Sequence, residues 1–436
     1  MKKHGHTSMT SARLAQNGAA CAALLLPGDD WVRRRVETIS FVDRRLVRRH
    51  VSIDFEVPKI RKGAGEGPGL VPISIIDKWP PLLNFDLRSR SDRPLPLLTT
   101  KENACMDEAL LLAIAERLKG ADSDLPNQVH RLTHREQGEA VDAFDRIAEY
   151  LRCVDSCQGT RDRLLSLADT LCGSSILWVP TDEPVGQRTI VKFAYDAPSE
   201  VLREAGSERA IAALTGRRHR WYTLPHLGHG GSYHLEVHVP DVVTVKAADL
   251  LVPRPEGGGG AGEVETPDWA EEAHTRTVDR VAHLYMGRRR RELGFGFLVL
   301  HTSIARTGAL WSAWATSLVV TLLLGFYWHW AEKIVAVNSA AITTLLLVPT
   351  VLGYLVVRPN EHPLTREHLA VSRILVLVSG ALPILAALVL VAAGGKPAAG
   401  AVDYWWRDLA IAGAVITILL SVNLCFASST KPSEVE

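Results

Sequence analysis

LWSAWATSLVVTLLLGFYW (Leu310–Trp328), IVAVNSAAITTLLLVPTVLGYLVV (Ile334–Val357), ILVLVSGALPILAALVLVAA (Ile374–Ala393) and LAIAGAVITILLSVNLCF (Leu409–Phe426) contain no Asp, Glu, Lys, Arg or His. About 20 apolar residues in a helix span the ~30 Å hydrocarbon core of a bilayer. A buried core helix of a soluble protein would match any one stretch, but four in succession, all uncharged, do not suit one. They predict an all-α four-helix transmembrane bundle over 309–428, with spans 310–328, 334–357, 374–393 and 409–426 and a short tail at 429–436.

Lys and Arg flank these spans unevenly. Arg288–Arg291 and Arg306 precede the first, Arg358, Arg366 and Arg373 separate the second and third, and Lys431 follows the fourth. The opposite side carries Lys333, Lys396 and Arg407. The excess predicts a multi-pass protein of the cell membrane whose termini and soluble region are cytoplasmic. Charge-free spans argue against proton relays, ion-coupled transport and voltage sensing. The milder Asn338, Ser379, Ser421 and Asn423 suit packing between helices better than a pathway. The lipid bilayer is the first expected partner, and the helices also offer a surface for homo-oligomers.

The 436 residues allow more than one domain, and a net charge of +1 gives no field that would draw nucleic acid, so none is expected. The six cysteines are too sparse for a disulfide scaffold. Residues 1–30 are expected to be a disordered arm, because the apolar run Ala19–Pro27 is short and soon meets Asp29 and Asp30, a poor secretory signal.

Residues 31–305 read as a cytoplasmic α+β domain with an antiparallel sheet. In His50–Val57, Val51, Ile53, Phe55 and Val57 alternate with Ser52, Asp54 and Glu56, the pattern of a half-buried strand. Leu70–Ile76, Thr189–Tyr195, Tyr233–Val239 and Val242–Val245 are further strands. Asn103–Leu118, His134–Arg152 and Arg161–Leu171 have helical spacing, whereas Lys78–Thr99 is punctuated by proline and reads as extended chain and loop. The glycine-rich 253–267 is a flexible loop. Thr275–Tyr285 and Glu292–Ser303 flank GRRRR and suggest one long hairpin whose second strand feeds the first membrane helix.

Two groups of residues are candidates for binding. Arg44 and Arg48, which would stack one turn apart on a helix, suit phosphate or lipid, whereas Arg288, Arg289, Arg290 and Arg291 at that tip stand too far from the membrane for lipid if the strand is upright and read more readily as a solvated tip. Acids such as Glu37 and Asp43 equally make the former a solvated face. His226, His229 and His234, among Gly228, Gly230 and Gly231, have the donors for zinc in a spacing that matches no zinc signature. Cys153, Cys157 and Cys172 lack the second pair of a thiolate site. There is no P-loop, GxSxG, HExxH or GxGxxG, so no catalytic residue, enzyme activity or cofactor is expected.

RRLVRRHVSIDFEVP (Arg44–Pro58) with NFDLRSRSDRPLPLLTTKEN (Asn84–Asn103) resembles a group of uncharacterised actinobacterial membrane proteins. These pair such a soluble region with C-terminal transmembrane helices; the resemblance implies that architecture and no activity. The expected function is a membrane-anchored cytoplasmic sensor or signal-coupled effector with an unknown cytoplasmic ligand or protein partner. A structural scaffold docking a cytoplasmic partner is the alternative, and a metal-dependent membrane enzyme built on the histidines comes after both.

Overall fold

The alternation in His50–Val57 belongs to β2 (Leu46–Glu56), which forms an antiparallel hairpin with β1 (Val32–Phe41). The Asp43 carboxylate accepts from the backbone N–H of Leu46 at 2.8 Å and closes the turn. Arg48 therefore lies on a strand and not on a helix, and Arg44 lies outside the described residues. The computed structural model describes residues 11–25, 31–43, 46–59, 69–78, 82–118, 124–153, 158–198, 200–201, 217–224, 231–241, 243–251, 274–278, 280–287, 296–304, 308–334, 362–392 and 401–428.

The remaining strands are β3 (Gly69–Asp77), β4 (Leu83–Ser89), β5 (Ser174–Thr181), β6 (Arg188–Pro198), β7 (Glu200–Val201), β8 (Arg218–Leu224), β9 (Tyr233–His238), β10 (Val243–Leu251), β11 (His274–Val278), β12 (Val281–Met286) and β13 (Gly296–Ile304). They make a seven-stranded sheet ordered β11-β12-β9-β1-β2-β6-β4, a four-stranded sheet β10-β13-β8-β7 and the pair β3-β5. The large sheet is mixed, not antiparallel, because β9 joins β1 in parallel. Side-chain alternation has the same period in either direction, so the sequence pattern does not distinguish them.

The single long hairpin around GRRRR is not formed. β11 and β12 pair with each other through a turn near Arg280, and β12 continues onto β9. β13 lies in the other sheet, between β10 and β8. The expected extended path Lys78–Thr99 contains β4, which completes one edge of the large sheet.

One face of the large sheet is polar and partly exposed. The other packs on the four-stranded sheet through Ile39, Val47, Leu235, Val237 and Leu300, and on β3-β5 through Val51, Ile53, Phe55, Val71 and Phe193. The far side of β3-β5 is covered by α2 (Thr100–Ala115), α3 (Leu125–His134), α4 (Gln137–Cys153) and α5 (Gln158–Gly173) around Leu110, Leu111, Leu132, Ile147 and Trp178. The expected helix His134–Arg152 is therefore the end of α3 plus α4. α2 opens with a capping box: Thr99 Oγ1 accepts from the Glu102 N–H, and the Glu102 carboxylate accepts from the Thr99 N–H at 2.8 Å.

Residues 11–25 of the expected disordered arm form α1 (Ser11–Leu25), with Leu14, Cys21 and Ala22 buried against α2 and β3. Gly18 lets the helices touch, since a Cβ there would lie 2.4 Å from the Met106 carbonyl oxygen.

The C-terminal helices are α6 (Gly308–Ile334), α7 (Pro363–Ala392) and α8 (Ala401–Ser428). Two stretches, Pro363–Leu388 and Arg407–Cys425, are long and apolar enough to cross a membrane. In α6 the apolar stretch is the shorter Leu310–Phe326. Residues 335–357, nearly all of the second expected span, lie outside the described residues. Among the described residues the four expected spans are represented by three helices, two of which hold an apolar stretch of spanning length.

Their apolar side chains lie on both sides: Val320, Leu324, Val376, Leu382, Ile416 and Leu420 are buried between the helices, and others face out. Leu322, Leu388 and Ile418 point outward and are about 60 % exposed (63 %, 59 % and 61 %). Ser317, Thr417 and Ser379 are buried between the helices: Ser317 Oγ lies 2.9 Å from Thr417 Oγ1 and accepts from Ser379 Oγ at 3.4 Å. Trp314 Nε1 donates to Ser421 Oγ and Asn423 Nδ2 to Ser372 Oγ. Ser379, Ser421 and Asn423 therefore join helices, while Asn338 lies outside the described residues.

Candidate functional site: a buried charged seam and a joint to the apolar helices

The inward face of β1 and β2 is not apolar throughout. Arg35, Glu37 and Arg49 point into the protein where the four-stranded sheet and the β3-β5 pair meet, and all three are buried. Arg49 donates to Glu37 Oε1 at 3.0 Å and to the Thr223 carbonyl of β8 at 2.9 Å. Arg35 donates to Ser74 Oγ of β3 at 3.1 Å and lies 3.8 Å from Glu37 Oε2. Tyr233, on β9 beside Arg35, donates its hydroxyl to Glu37 Oε2 at 3.2 Å. The seam thus ties each smaller sheet to the large one.

Two guanidiniums face one carboxylate here, so the buried cluster carries excess positive charge. Burial pulls the Arg49 pKa down, but the surrounding acids, Glu37 among them, outweigh it and the guanidinium stays charged. Burial drives the Tyr233 phenol well above its ordinary value, which keeps it a donor to Glu37. The Nε atoms of Arg35 and Arg49 have no hydrogen-bond partner among the described residues. Desolvation makes such a cluster expensive, and its best-attested use is to select one arrangement of the packed elements.

A second buried ion pair lies where the sheets meet the helices. Arg220 of β8 is fully buried, donates to Glu367 Oε2 of α7 at 3.0 Å, and sits 5.6 Å from the centre of the Phe41 ring. Thr302 Oγ1 of β13 lies 3.4 Å from His368 Nε2, and His362 Nε2 lies 3.2 Å from the Phe41 carbonyl. Leu364 closes the core between the two larger sheets, and Ile304 at the end of β13 packs with Leu310, Leu369 and Ala427. The first turns of α7 are therefore part of the soluble core, and the same unbroken helix continues through the apolar stretch.

The residues singled out from sequence have other places. Arg48 Nη1 is held by Asp196 at 3.0 Å and by the Asn84 carbonyl at 2.8 Å, joining β2, β6 and β4. Burial opposes ionisation of Asp196, but hydrogen bonds from Asn84 and Arg48 win and hold its pKa below the usual value. Arg44, Arg288–Arg291, His226, His229 and Cys157 lie outside the described residues.

His234 is on the polar face of β9, 3.7 Å from Glu236 Oε1. His283 of β12 lies equally close to that oxygen at 3.7 Å, and His238 Nε2 is 3.5 Å from Glu236 Oε2. Burial lowers the His234 pKa, Glu236 opposes this, and His283 and Arg34 reinforce it, so its imidazole is biased toward the neutral form. Glu236 stands two residues from His234 on the same face of β9, but His283 escaped the sequence reading because cross-strand pairing with Glu236, not spacing, brings it there.

No protein-family model matches the chain, and no curated protein does. Similar solved structures include the M1 zinc metallopeptidase from Deinococcus radiodurans, a mutant of it, and a two-domain M1 zinc metallopeptidase mutant bound to L-tryptophan. In each case identity is 10 %, the match covers 63 % of this chain and 43 % of the other, and the TM-score is 0.24. A likeness at that score carries no argument about this chain.

Proposed function

We propose that the chain is a membrane-anchored coupling protein, a sensor or signal-coupled effector whose cytoplasmic α+β region biases the packing of its membrane helices. In this reading the chain crosses the bilayer four times, over 310–328, 334–357, 374–393 and 409–426, with both termini inside. One observation carries the reading: the buried Arg220–Glu367 joint lies in the first turns of α7, at one end of the same continuous helix whose Pro363–Leu388 stretch is of spanning length. A simple anchor has no need of buried ion pairing at its root, and removing one partner of such a pair costs about 3–5 kcal/mol. A ligand or partner that shifts β8 or β13 would act on α7 and α6 directly.

The test is hydrogen exchange on the full chain in lipid nanodiscs, native against Arg220→Met. Coupling predicts faster exchange in the first turns of α7, about 100-fold for a loss of ~3 kcal/mol, continuing past Ser379 and into α8. Faster exchange confined to β8 and β13, with α7 unchanged, would leave only the scaffold alternative. Reporter fusions after Glu436 and at Lys396 test the topology: an inside tail with an outside loop is expected, and an outside tail refutes the cytoplasmic assignment.

A further inference from the structure

Away from the seam, α2 and α3 bring together side chains that the coupling reading does not use. His130 and His134 stand one helical turn apart on α3, with ring centroids 4.3 Å apart. Glu108 on α2 reaches both: its Oε2 lies 3.2 Å from His130 Nδ1 and 2.9 Å from His134 Nε2. The ligating atoms of all three lie within 4.8 Å of one another.

Tetrahedral zinc bound at ~2.0–2.1 Å to imidazole nitrogen and carboxylate oxygen sets its donor atoms about 3.3 Å apart. The two contacts made by Glu108 are within roughly 0.4 Å of that spacing. An ion would take the place of the protons that now hold the three groups together. The supports are firm, since α3 is fixed by buried Leu125, Val129 and Leu132, and α2 by its capping box. His130 is exposed, which leaves an entry path and room for a water ligand. Arg131 follows His130 where an HExxH motif carries its glutamate, so the set supplies ligands without an adjacent general base. The alternative cluster of His234, Glu236 and His283 is wider, with both Glu236 contacts at 3.7 Å on an open sheet face.

We infer that Glu108, His130 and His134 form a binding site for a zinc-class divalent cation, clamping α3 to α2 with water as the remaining ligand. The inference is independent of the coupling reading. The full chain in detergent is stripped with a chelator and titrated with Zn²⁺ alone against a chromophoric competitor. One ion per chain is expected at this site. Glu108→Gln and His134→Gln should weaken that binding by more than the ~10–100-fold that loss of an outer-shell partner costs. His130→Asn, at an exposed position, should weaken it as much while the metal-free variant keeps the circular dichroism and melting temperature of the native chain. His283→Gln should leave the affinity unchanged. Failure to bind, binding that survives both His130→Asn and His134→Gln, or binding lost in His283→Gln overturns the assignment.

Discussion

Asp107 of α2 is fully buried, with its carboxylate accepting from Trp178 Nε1 at 2.9 Å and, at a longer 3.4 Å, from the Ile176 N–H. Burial pushes its pKa up to about 7, against the opposing pull of Trp178, Lys78 and the Ile176 N–H. An unfolded aspartate titrates near ~3.9. Below that pH both states are protonated. Between it and about 7 the folded chain keeps a proton that the unfolded chain has released, so stability falls as pH rises through this window and levels off above it. The gap corresponds to about 4 kcal/mol. Asn at this position keeps an acceptor for Trp178 and cannot ionise. Melting of the detergent-solubilised chain is followed by near-ultraviolet circular dichroism from pH 4 to pH 8. Native and Asp107→Asn proteins should keep a constant offset at the acid end, and the native chain should lose roughly 5 °C relative to the variant by the upper end. Every other titrating group cancels in that difference, provided it does not couple to Asp107. Parallel curves, or a native chain that gains on the variant as pH rises, would refute the reasoning. Asp107→Leu separates burial from hydrogen bonding, because it orphans the Trp178 and Ile176 donors and should cost about 1–3 kcal/mol for each at every pH.

Two further outcomes follow from packing at the N-terminal end. Gly18→Val places a side chain against the Met106 carbonyl and should loosen α1 from α2 by about 1–3 kcal/mol, seen as faster proteolysis before Trp31 with the rest of the domain intact. Cys21 is buried against the Leu70 carbonyl, and burial pushes its thiol up to about 12, whereas Cys153 is exposed. Brief maleimide treatment of the native chain should modify Cys153 and leave Cys21 unmodified until denaturant is added, as read by peptide mass spectrometry.

What the sequence exposes depends on whether a signal is local. Val51, Ile53 and Phe55 declare β2 because their period reports burial directly. The capping box at Thr99 and Glu102 was equally local and marks the helix start more sharply than apolar spacing, which placed it near Asn103. The end of α3 was harder to see, since only Arg135 and Glu136 separate it from α4. GRRRR imitates a hairpin turn, but strand partners are chosen by whole faces, and β12 found β9. The seam was hidden for a different reason. β1 carries charge on both faces, with Arg34 outward and Arg35 and Glu37 inward. Alternation announces two faces without saying which is buried. That choice depends on Ser74, Thr223 and Tyr233, residues remote in the chain that supply the partners.

The two halves of the molecule are packed differently, and the joint is where they must agree. The sheets turn apolar side chains inward and a polar face outward, whereas the helices bury Ser317, Ser379 and Thr417 alongside Val320, Leu324 and Leu382 and leave Leu322 and Leu388 exposed. A helix that passes from one regime to the other must change the character of its buried face along its length. α7 does so within a few turns, from Leu364, Glu367 and His368 against the sheets to Ser379 and Ala386 among the helices. A purely apolar contact at the crossing would tolerate sliding and rotation of α7, because hydrophobic burial is non-directional. A guanidinium held by a carboxylate and an aromatic ring does not, since both partners fix direction as well as distance. The Arg220–Glu367 pair thus gives the root of α7 one rotational setting relative to β8, the property that an element carrying conformational change from sheet to membrane requires.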